Sequence, residues 1–108
     1  MLQSSEIQQR FSSIEQAIVQ AAQTAQNEAG TPPLLKDCIQ KLDRQSSLSK
    51  EAMQSSDEAR IRKCVEDLEQ LGDEAKRVCK TETQVPPRLQ EAIMRVHDEL
   101  SDLKHQLH

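Results

Sequence analysis

The sequence predicts an all-α protein, an antiparallel four-helix bundle made of two helical hairpins. Three observations carry that expectation. Apolar residues recur every three or four positions in four separate stretches. A Pro-Pro pair occurs twice, at 32–33 and 86–87, each time between two such stretches. The chain has 108 residues with a single aromatic, Phe11, so its core must be built from small aliphatic side chains. Such side chains suit helices that approach closely. One domain is expected over 1–108, with one hairpin at 1–54 and the other at 55–108.

The first helix is expected from about Gln3 to Ala29. Ile7, Phe11, Ile14, Ile18, Ala21 and Ala25 form its heptad seam. Gly30-Thr31-Pro32-Pro33 ends it, since Pro cannot continue a helix. The second helix, about Pro33 to Gln54, opens its seam with Leu35, Ile39 and Leu42. Ser46 and Ser49 then precede Met53, which predicts a weak, poorly packed half. The third opens at Ser55-Ser56-Asp57-Glu58, where Ser55 and Glu58 have the spacing of a capping box. Its apolar stripe, from Ile61 through Leu68 to Cys79, is broad enough to face two neighbours. Gly72 interrupts this helix at its middle, where Gly costs about 1 kcal/mol relative to Ala; close approach of a neighbouring helix would account for it. The fourth helix starts at Pro86-Pro87, with Leu89, Ile93, Val96, Leu100, Leu103 and Leu107 as its seam.

The two halves align at an offset of 54. Pro32-Pro33 falls on Pro86-Pro87, Ile7 on Ile61, Glu15-Gln16 on Glu69-Gln70, and Ile39 on Ile93. Internal duplication would leave such matches, although helical heptads inflate them. A rival architecture has three helices with one long central helix, in a dimeric arrangement, because no Gly or Pro lies between Leu34 and Leu71. The seam slips register near Ser55, which favours a turn there.

Composition excludes several classes of function. Net charge is −4, the wrong sign for nucleic acid or an anionic membrane surface. No stretch is long and apolar enough for a transmembrane helix, and no signal peptide is expected at the N-terminus. Three cysteines without framework spacing suit a reducing, cytoplasmic setting. Cys64 and Cys79 lie too far apart along one helix to bridge. Cys38 and Cys79 would meet near one end of an antiparallel bundle, yet without metal-site spacing.

No catalytic constellation is expected. Two glycines allow neither a nucleophile elbow nor a phosphate-cradling loop. No Glu-x-x-His occurs, so a di-iron bundle is excluded. His105 and His108 stand three apart on a terminal turn, a poor metal site. No cofactor, metal or small-molecule substrate is therefore expected. Two functions remain. One is a non-enzymatic interaction or scaffold module that binds a protein partner or itself, with Ile18, Val19 and Ala22 of the first helix as the contact face. The alternative is a histidine phosphotransfer domain using His97, although Asp98 and Glu99 would repel a phosphoryl group.

Overall fold

A computed structural model describes residues 3–55, 57–82 and 84–107, with Ser4 described by its backbone alone. Ser56 and His108, invoked above for the third helix start and the terminal histidine pair, lie outside the described residues. The described residues contain four helices and no strand. They are α1 (Ser4–Asn27), α2 (Pro33–Gln54), α3 (Glu58–Thr81) and α4 (Pro87–Leu107). Each helix packs on two neighbours in the closed order α1, α2, α3, α4 and back to α1. Short connections make successive helices antiparallel. The α1–α4 contact is antiparallel too, since Ser13 meets Glu99 while Gln20 meets Arg95. The bundle measures 42 × 20 × 17 Å.

The central helix of the rival architecture is broken between Gln54 and Glu58. The capping there differs from the expected box. Ser55 ends α2 instead of starting α3: its hydroxyl donates to the Ala52 carbonyl at 2.7 Å. Asp57 is the N-cap, and its carboxylate accepts from the Arg60 N–H at 3.2 Å. Both residue types cap well, so the choice falls to the residue adjacent to the new helix.

The element bounds repeat at the offset seen in the sequence. Ser4 and Glu58, Asn27 and Thr81, Pro33 and Pro87 begin or end equivalent helices 54 residues apart. Backbone capping bonds repeat with them. Glu28 N–H donates to Thr24 and Glu82 N–H to Val78; Pro32 and Pro86 each accept from the residues three and four further on. Missing donors at the two Pro-Pro turns thus fall in a first helical turn, whose N–H groups have no intrahelical acceptor to lose. Even the buried loop residues correspond, Thr31 in one half and Val85 in the other.

The four apolar seams are the core. Ile18, Leu35, Leu68, Leu89, Leu100 and Leu103 are all fully buried. By the register of the helix bounds, the side chains stack in layers of four. One layer holds Phe11, Ser49, Val65 and Leu103; another holds Ile18, Leu42, Gly72 and Val96. Large and small residues share a layer in this register. Ser46 and Ser49 are therefore core residues, 4% and 0% exposed, not a frayed end. Their hydroxyls donate within the helix, to Asp43 O at 3.0 Å and Gln45 O at 2.8 Å, which removes most of the cost of burying them.

Candidate functional site

Of the three residues expected to form a contact face, the structure exposes one. Ile18 is fully buried in the seam, Ala22 is half-buried against the core, and Val19 is 46% exposed. Adjacent helical residues point about 100° apart, so Ile18 and Val19 cannot share a face. Ile18 belongs to the interior.

Around Val19 lies a feature that the seam-based reading passed over. Gln9, Ser12, Gln16, Val19, Gln23 and Gln26 are all exposed and spaced alternately by three and four residues. That spacing sets them on one stripe of α1, directly opposite the buried seam. None of the six carries a charge. Ser12, Gln16, Val19 and Gln23 line a shallow groove that runs along it, with Glu15 and Gln20 at its edges. The equivalent stripe of α3, 54 residues on, reads Lys63, Glu66, Gln70, Asp73, Arg77 and Lys80. Five of those six are charged, and Lys63 pairs with Asp67 at 3.1 Å. The outward stripe of α2 mixes charges (Asp37, Lys41, Arg44, Glu51) with the exposed Leu34 and Leu48, and α4 carries Glu91, Asp98 and Asp102 beside the exposed Met94. The signal was present in the sequence, but only as a comparison of outward stripes rather than of apolar ones.

Polar contacts flank α1 on both sides. Lys50 of α2 lies 3.6 Å from Glu15. On the α4 side, Ser13 donates to Glu99 at 3.0 Å and Arg95 to Gln20 at 3.4 Å. The second carboxylate oxygen of Glu99 is buried and has no hydrogen-bond partner among the described residues. The buried seam sets the rotation of α1 and so the direction its outer stripe faces, and these largely exposed contacts add little to it.

His97 sits at the α3–α4 contact with its side chain 17% exposed. Its Nε2 lies 2.8 Å from the Asp73 carboxylate and its Nδ1 3.4 Å from Asp98. A proton on Nε2 would be donated to Asp73. A phosphoryl group approaching Nε2 would have to displace one carboxylate and come close to a second.

Cys38 is buried near the start of α2, and Cys79 is half-buried on the last turns of α3. Both thiols are free. Burial pushes both above the ordinary thiol range; the charge of Glu74 adds to this at Cys38, and Cys38 itself adds to it at Cys79. Such thiols are poor nucleophiles near neutrality. Among the described residues no three His, Cys, Asp or Glu side chains converge as metal ligands. No described helix is long and apolar enough to cross a membrane. No family model, curated protein or solved structure matches this chain.

Proposed function

We propose that this chain is a non-enzymatic interaction module whose contact surface is the outward stripe of α1, centred on Val19. The observation that carries the proposal is the contrast between equivalent stripes. Four glutamines, a serine and an exposed valine occupy the α1 stripe, while the matching α3 positions are charged. A solvated helix face normally carries charges, which keep it hydrated and unattached. A row without them is less costly to desolvate, which is what a protein contact requires. The α3 face is the solvated counterpart within the same molecule.

The remaining side-chain chemistry favours the same reading. Ser46, Ser49 and Ser55 spend their hydroxyls on backbone carbonyls. His97 is held against carboxylates, which weighs against the phosphotransfer alternative. We place the protein in a reducing, cytoplasmic setting on the strength of its three unpaired thiols. The repeated bounds and capping bonds favour descent from a duplicated hairpin.

A photo-crosslinking amino acid at Gln16 tests the contact surface, with Gln70 as its internal control 54 residues away. A covalent protein adduct from Gln16 and none from Gln70 is the expected result. No adduct at Gln16, or equal labelling at both positions, overturns the proposal.

A further inference from the structure

We draw no further inference here: the strongest candidate, the cleft between α1 and α4 that Arg10, Ser13, Glu99 and Asp102 line and where one Glu99 carboxylate oxygen is buried without a hydrogen-bond partner among the described residues, carries nothing, because the Glu99 side chain is still 29% exposed, its other oxygen already accepts from Ser13, and nothing in the structure points to what the cleft would hold.

Discussion

At the scale of single residues, Gly72 shows how one missing side chain sets a helix separation. It is buried in α3. A Cβ built there would meet Leu100 Cδ1 at 3.3 Å and His97 Cα at 3.9 Å. The nearer atom is the end of a flexible side chain, and the farther one is backbone, which cannot yield. Gly72→Ala should therefore fall within about 1 kcal/mol of the wild type, helix propensity offsetting a small shift of Leu100. Gly72→Val drives branched carbons toward the α4 backbone and should cost about 1–3 kcal/mol. Urea denaturation of the two variants measures both values. The sequence pointed to close packing at this residue because a mid-helix glycine needs a reason. The seam already set Ile18 inside and Val19 off it, so a contact face holding both gave Ile18 two incompatible roles, and the structure keeps the buried one.

At the scale of the helix, α2 depends on compensation. Its seam carries Ser46 and Ser49 where α4 carries Leu100 and Leu103. The shortfall looked like weakness in the sequence because a seam is judged one helix at a time. The layer supplies what the helix lacks, since Phe11 lies level with Ser49. Ser46→Ala/Ser49→Ala should leave stability unchanged or raise it by up to about 1 kcal/mol, because Ala favours helix and the lost hydroxyls bond only to their own turn. Ser49→Leu, the residue at the equivalent place in α4, should instead destabilise by about 1–3 kcal/mol against Phe11. Thermal melts of both variants distinguish compensation from slack. Helix existence and seams were legible from periodicity. The caps were less so, because Ser55 and Asp57 compete for one role and the end of α2 decides between them.

For the whole molecule, stability should depend on alkaline pH. Cys38 and Cys79 have their thiol pKa values raised in the fold, by burial first. The native state thus holds protons that the unfolded chain releases above about pH 8.5. The associated stability is fully present below that range and is lost as pH rises through the raised values. Lys41 and Lys63 are shifted upward too, by hydrogen bonds to Asp37 and Asp67, and their sign is the same. Both are exposed, so they add little. The urea midpoint should hold steady between about pH 7 and 8 and fall above about pH 9. Four helices in two hairpins, joined at an offset of 54, could be read before any coordinates. The α1 stripe was equally present in the sequence but escapes hydrophobic patterning, which looks for what is hidden, whereas this surface differs in the charges it lacks.

The paired bounds of the two hairpins have a last implication. Their helix starts and caps coincide at an offset of 54, yet their fillings differ. Two first hairpins assembled together would crowd a pair of phenyl rings and a pair of hydroxyls into one cross-section. Two second hairpins would place a pair of bare backbone positions opposite each other at Gly72. Each half is filled to complement the other, like the two parts of a mould, although the two share one frame of helix bounds and caps.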